Sequence, residues 1–179
     1  MLNSINKPFR RKFLTFALSV LKTDMKGPLF YSKILLFGEY GIIKDSRGLS
    51  IPYNFFKGAL KKSSDLKGNA LESNKSLRQF LDYLDEVQLA TPELISFDLP
   101  AMRKDLNEGM FFDSSIPQGY GVGSSGALVA AIYDRYAHDK ITVLENLTRE
   151  KLLRLKQVFA KMESFFHGKS SGLDPLNSY

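Results

Sequence analysis

Residues Pro117 to Ala127 read Pro-Gln-Gly-Tyr-Gly-Val-Gly-Ser-Ser-Gly-Ala, and the apolar run Leu128-Val-Ala-Ala-Ile132 follows without a break. Three glycines alternating with Gln118, Tyr120 and Val122 demand a loop, and the residues after them demand a buried helix. Glycine has no Cβ, so its backbone N–H can come close to an anion and can adopt positive φ where a loop needs it. Where such a loop feeds the first turn of a helix, unpaired N–H groups and the helix dipole both favour a phosphate. The stretch lacks the Gly-Lys-Ser/Thr ending of a P-loop. Two readings are open at this point: an anion cradle, or a tight strand-to-helix turn with serine caps.

Bulk composition narrows the classes. The chain has 179 residues, 44% hydrophobic and 25% charged, enough for one domain with a sizeable core. It has no cysteine, which excludes disulfides and thiolate metal sites and makes a reducing, cytoplasmic setting the default expectation. Two histidines make a multi-histidine metal centre a poor fit, so a metal here would be a hard cation on oxygen ligands, such as magnesium. The net charge of +6 suggests nucleic acid until it is located. Residues 1–24 carry Lys7, Arg10, Arg11, Lys12 and Lys22 against Asp24, a net +4, which leaves only +2 for the remaining 155 residues. A nucleic-acid partner is therefore not expected. The same 24 residues imitate a signal peptide, with Arg10-Arg11-Lys12 before Phe13 to Leu21, but no small-x-small site follows and the run is too short to span a bilayer. They read as an extension outside the fold, disordered or a short helix, with the domain running from Met25 to Tyr179.

Periodicity gives an α+β chain, strands first and helices after. Leu29–Phe37 is β-like, Gly38–Gly41 interrupts it, and Asp45–Gly48 supplies a turn before a strand at 49–53. Residues 54–60 read as a further strand, and Lys61–Asn69 as a solvated loop. Leu77, Phe80, Leu81, Leu84 and Val87 predict a helix over 76–89 capped by Ser73 or Asn74. A short strand at 95–99, a helical turn from Pro100 and a strand at 109–113 lead into the glycine loop. Helices follow at 125–138 and 147–166, the second with Thr148 as N-cap and Gly168 as its stop.

Two more stretches carry groups that chemistry needs. Glu163 and Asp174 stand eleven positions apart across Phe165-Phe166-His167-Gly168-Lys169-Ser170-Ser171-Gly172, so they sit on different elements and can converge. One carboxylate could hold Mg2+ while the other orients or deprotonates a hydroxyl. The bland alternative is a solvated Glu163, an Asp174 that caps a helix, and a His167 that answers a helix dipole. Lys33 lies inside an apolar strand, where an unpaired ammonium is costly, so it calls for a carboxylate or phosphate, with Asp174 a candidate. Otherwise it is an edge-strand lysine facing water.

Lys33-Ile-Leu-Leu-Phe-Gly-Glu-Tyr-Gly-Ile42, the glycine loop, and Glu163 through His167-Gly-Lys-Ser-Ser-Gly-Leu-Asp174 occur in that order. Together they resemble the GHMP small-molecule kinases, and the Gly-Glu and His-Gly-x-x-Ser-Gly-x-Asp elements look most like mevalonate kinase. The resemblance implies the N-terminal, ATP-binding lobe of that family, a fold also found in ribosomal proteins, with helices packed on a mixed or antiparallel sheet. It implies ATP and Mg2+ as cofactors and a small alcohol such as mevalonate as acceptor, with no nucleic acid, no membrane and a homodimer as one allowed assembly. Pro117, Gly119, Tyr120, Gly121, Val122, Gly123, Ser124, Ser125 and Gly126 would wrap the ATP phosphates, with Ser125 and Glu163 at Mg2+. Asp174 would receive or orient the proton of the attacking hydroxyl, and Lys33 would pair with Asp174 and either lower the pKa of that hydroxyl or steady the charge at the transferring phosphoryl. Glu39, Tyr40, His167, Gly168 and Ser171 would line the acceptor pocket.

Four positions depart from the family pattern. Tyr40 stands for the usual histidine, Ser32 for glycine, Gly126 for alanine, which is expected to loosen the helix start, and Ser170 for a common proline. Family members resemble two-lobed proteins, and this chain is expected to correspond to the first lobe only, weak or inactive alone. Other branches of the family (phosphomevalonate kinase, a sugar kinase, diphosphomevalonate decarboxylase) and a non-catalytic nucleotide-binding module stay open beside mevalonate kinase.

Overall fold

The computed structural model describes residues 27–37, 48–142, 144 and 146–179. Residues 1–24, Glu39 and Tyr40, for which an extension and acceptor contacts are expected, lie outside them. Three antiparallel strands form one sheet in the order β1 (Phe30–Phe37), β2 (Leu49–Lys62) and β3 (Met110–Ser114). Five helices accompany them: α1 (Gly68–Ala90), α2 (Leu99–Asn107), α3 (Ser124–Tyr136), α4 (Arg149–His167) and α5 (Leu173–Ser178). The α+β class expected from the sequence is what the chain forms. Among the described residues no helix is long and apolar enough to cross a membrane.

Where two strands were expected at 49–53 and 54–60, β2 runs unbroken. The register explains the apparent break: Ser32 pairs with Tyr53 but Tyr31 pairs with Lys57, so Asn54, Phe55 and Phe56 bulge out of the ladder. Pro52 is tolerated in this central strand because its partner Lys33 sends its own N–H the other way, to the carbonyl of Val122 at 2.9 Å. That bond hangs the glycine loop on the free edge of β1.

The helix expected at 76–89 starts earlier, and neither Ser73 nor Asn74 caps it. Both sit inside α1 and tie it sideways. Ser73 bonds both the N–H and the carbonyl of Phe112, and buried Asn74 donates to the carbonyls of Leu106 and Met110 at 3.0 and 2.6 Å. The strand expected at 95–99 reduces to a single bridge between Phe97 and Ala137. Elsewhere local signals hold: Asp98 caps α2 through the N–H of Ala101, and Thr148 caps α4 through that of Lys151.

The main core gathers Leu77, Phe80, Leu81 and Leu84 of α1, Met102 and Leu106 of α2, and Leu155, Phe159 and Met162 of α4. Helix α3 is apolar on every side from Gly126 to Tyr133 because that stretch is sandwiched. Ala127, Ala130 and Ala131 lie on Phe30 and Ile116, while Val129, Ile132 and Tyr133 face the helical core. A helix buried along most of its length fixes the direction of its N-terminus, and that end carries the glycine loop.

Candidate active site

Gly119, Gly121 and Gly123 take φ of 80°, 67° and 83°, the left-handed region that side chains avoid. At Gly123 space matters as well, since a Cβ would stand 2.9 Å from Cγ of Lys33. Gly123 is also the N-cap of α3 and offers no side chain to it. Among the described residues, nothing accepts from the N–H groups of Ser124, Ser125 and Gly126, the first free intrahelical bond being Ala127 N–H to the Gly123 carbonyl. The loop therefore presents a turn of unpaired donors at the positive end of a buried dipole.

Lys33 is buried and places its Nζ 3.0 Å from Oδ1 of Asp174, whose side chain is about a third exposed. An ammonium in an apolar strand is thus paired, and its carboxylate partner still reaches solvent. Asp174 stands in the first turn of α5, behind the N-cap Gly172. Helices α3 and α5 meet at Gly126, where a Cβ would lie 2.7 Å from the Asp174 carbonyl carbon and 2.9 Å from its oxygen. This corrects the reading of Gly126 as a residue that loosens the helix start: its missing side chain is filled by the backbone of Asp174. The loop thus touches both members of the ion pair, Lys33 at Gly123 and Asp174 at Gly126.

A second cluster lies at the junction of α3 and α4. Glu163 is 3% exposed, and its Oε1 accepts from Ser125 Oγ at 3.2 Å while its Oε2 accepts from Ser170 Oγ. Ser125 Oγ also lies 3.0 Å from Nε2 of His167. Burial above all, and then the nearby charge of Asp174, push the Glu163 carboxyl above its usual range, while the bonds from Ser170 and Ser125 and the proximity of His167 pull the other way. A buried carboxylate with two hydroxyl partners and, among the described residues, no ion-paired cation suits a divalent ion. No group of three His, Cys, Asp or Glu converges among the described residues. Two protein oxygens, Ser125 and Glu163, fit Mg2+, which keeps waters and takes its other ligands from phosphates.

Beside these groups opens a cleft of about 850 Å3, walled by the start of α1 (Asn69, Glu72, Ser73, Ser76), β3 from Phe111 to Ser114, and Gln118 of the loop. Ser124, Ser125, Phe166 and His167 close its other side. His167 thus meets Ser125 on the cleft wall. Gly168 ends α4 at φ 70° and Ser171 lies exposed, its hydroxyl 3.4 Å from the N–H of Leu173; neither bonds into the cluster. Tyr120 is 79% exposed at the loop tip, and Pro117 is half-buried beside Ile116. Sequence reasoning missed Ser170 and the wall from α1. A serine next to another in a small-residue loop carries no signal of its own, and the wall forms only when α1 docks on β3.

Residues 93–177 match the family model of the GHMP kinases N terminal domain. The matched stretch is 85 of 179 residues, just under half of the chain. It spans the glycine loop, Ser125, Glu163 and Asp174 and leaves Lys33 outside. Comparison with curated proteins and with solved structures returned no significant match. The GHMP match carries the fold class, and it points to kinase-type, phosphotransferase chemistry in general.

Proposed function

We propose that this chain binds ATP and serves the transfer of its γ-phosphoryl group to a small alcohol, with mevalonate the acceptor and 5-phosphomevalonate the product. The observation that carries this reading is the packing of the Lys33–Asp174 pair directly beneath the loop, through Gly123 and Gly126. Phosphoryl transfer asks for positioning and charge stabilisation more than for covalent chemistry, and a carboxylate and an ammonium packed against the same glycine loop support that reading. The free N–H groups of Ser124, Ser125 and Gly126 bind phosphate oxygens. Ser125 and Glu163 would hold Mg2+, which would supply neutralisation of the phosphate charge. Asp174 takes the proton of the acceptor hydroxyl as that oxygen bonds to the γ-phosphorus and the bond to ADP breaks. Lys33, 3.0 Å away, holds the Asp174 carboxylate in place until then. The choice of mevalonate rests on the two motif likenesses, Gly38-Glu39 and His167 to Asp174, and a cytoplasmic setting without nucleic-acid or membrane partners belongs to the same proposal.

Calorimetry with ADP and Mg2+ tests the cradle, and ADP release tests the acceptor across mevalonate, phosphomevalonate, galactose and homoserine. Binding of ADP that Mg2+ strengthens, and turnover of mevalonate that Asp174→Asn lowers by about two orders of magnitude or more, are the expected results. No affinity for ADP in the presence of Mg2+ sinks the nucleotide reading. Turnover of another alcohol moves the chain to another branch of the same chemistry.

A further inference from the structure

Glu163 has two oxygens, and the structure gives them different partners. Oε1 faces Ser125, whereas Oε2 is held by Ser170, from the loop between α4 and α5. The N–H of Gly172 donates to Ser170 Oγ at 3.0 Å, so one lone pair of that hydroxyl is taken and its single hydrogen goes to Glu163. Ser170 is therefore locked as a donor. Ser125 is not, because its hydroxyl has two partners, Oε1 of Glu163 at 3.2 Å and Nε2 of His167 at 3.0 Å, and the tautomer of His167 sets whether the second accepts or donates. When Ser125 donates to His167, its lone pairs and those of Oε1 are left facing the same space.

We propose that Ser170 is a positioning residue for a divalent cation: by holding Oε2 it fixes the Glu163 carboxylate with Oε1 turned toward Ser125 and the ion. This rests on the reading above, that Ser125 and Glu163 are the ligands. A carboxylate on a helix swings about its terminal torsion unless a neighbour fixes it, and partners behind metal ligands commonly govern affinity. Among the described residues no other group hydrogen-bonds Oε2. Ser170 acts through Glu163 and touches no reacting atom.

The test uses Mn2+ as the probe with ADP and the whole chain, reading bound Mn2+ by electron paramagnetic resonance, with ADP binding in chelator as a control. Ser170→Ala should weaken Mn2+ in the ADP complex by about 10- to 100-fold, leave metal-free ADP binding unchanged, and be rescued by Ser170→Thr. Ser170→Cys keeps the volume but is a weak donor, so it should show the same loss with native circular dichroism; it serves if the alanine variant does not fold. Mn2+ affinity like that of wild type in both variants overturns the proposal, as does a parallel loss of metal-free ADP binding, which marks a merely structural loop. A wild-type chain that binds no ADP with Mn2+ overturns the nucleotide reading and this inference together. Wild-type binding with an unaffected Ser170→Ala sinks the inference alone.

Discussion

Gly126 shows how much one absent methyl group can decide. Alanine at this position gains about 1 kcal/mol of helix propensity. Its Cβ would, however, stand 2.7 Å from a backbone carbon of Asp174 that cannot rotate away. Overpacking of that kind costs about 1–3 kcal/mol, so Gly126→Ala should lower the melting temperature slightly or leave it level, while displacing Asp174. The expected outcome is a fall of about tenfold or more in kcat with little change in KM for ATP, since contacts made only in the transition state are lost. Kinetics and thermal melts on the same preparation check both halves. Lys33 and Asp174 were legible as chemical candidates because an ammonium in an apolar strand needs a partner. Ser170 was not, because its role comes from the direction of one hydrogen, fixed by a backbone N–H two residues on.

Elements defined by local chemistry were readable, and those defined by distant partners were not. Helix α4 begins at a Thr148 cap and stops at Gly168, both written within a turn of the ends they specify. Helix α1 begins at Gly68 behind an uncapped Lys67, and nothing nearby in sequence announces it. Its start is held by Ser73 and Asn74 reaching β3 and α2, across separations of 32 to 39 residues. Asn74→Ala should therefore do more than remove a polar side chain from a helix. The Leu106 carbonyl keeps a bond from Arg78, but the Met110 carbonyl loses the Asn74 donor. A buried unpaired carbonyl costs about 1–3 kcal/mol, and denaturant titration of the variant should show a midpoint shift with unchanged slope. Substitution of exposed Lys75 should show none. The bulge at Asn54–Phe56 is the same lesson for strands, because a break in β2 is visible only against its neighbour's register.

At the scale of the molecule, the end of the fold away from the glycine loop is held by a charged hub. Asp105 of α2 accepts from Lys62 at the end of β2 at 2.6 Å, from Tyr136 of α3 at 2.6 Å and from Arg135 of α3 at 2.9 Å. Burial pushes the Asp105 carboxyl up, but the bonds from Lys62 and Tyr136 and the charge and bond of Arg135 together hold it below its ordinary 3.8. Burial and the bond to Asp105 likewise push the Tyr136 hydroxyl up, beyond the usual phenol range. A carboxylate with a lowered folded pKa adds stability that is present above 3.8 and is lost as pH falls through the folded value. Thermal melts should thus decline on the acid side, and Asp105→Asn should be less stable at neutral pH yet flatter across the acid range. An equally steep acid decline in that variant would shift the cause to other carboxylates.

Helix α3 joins the two ends. Its first turn carries the unpaired donors of the loop, and its last carries Arg135 and Tyr136, 13 residues and about 20 Å along the axis. It works as a strut: the hub cannot open without loosening the helix that a phosphate would grip. Ligand free energy then becomes opening free energy at the far end. Adding ADP and Mg2+ should slow amide deuterium exchange around Tyr136 and Asp105 as well as in the loop, and slowing confined to the loop would mean that the strut bends instead of bearing load.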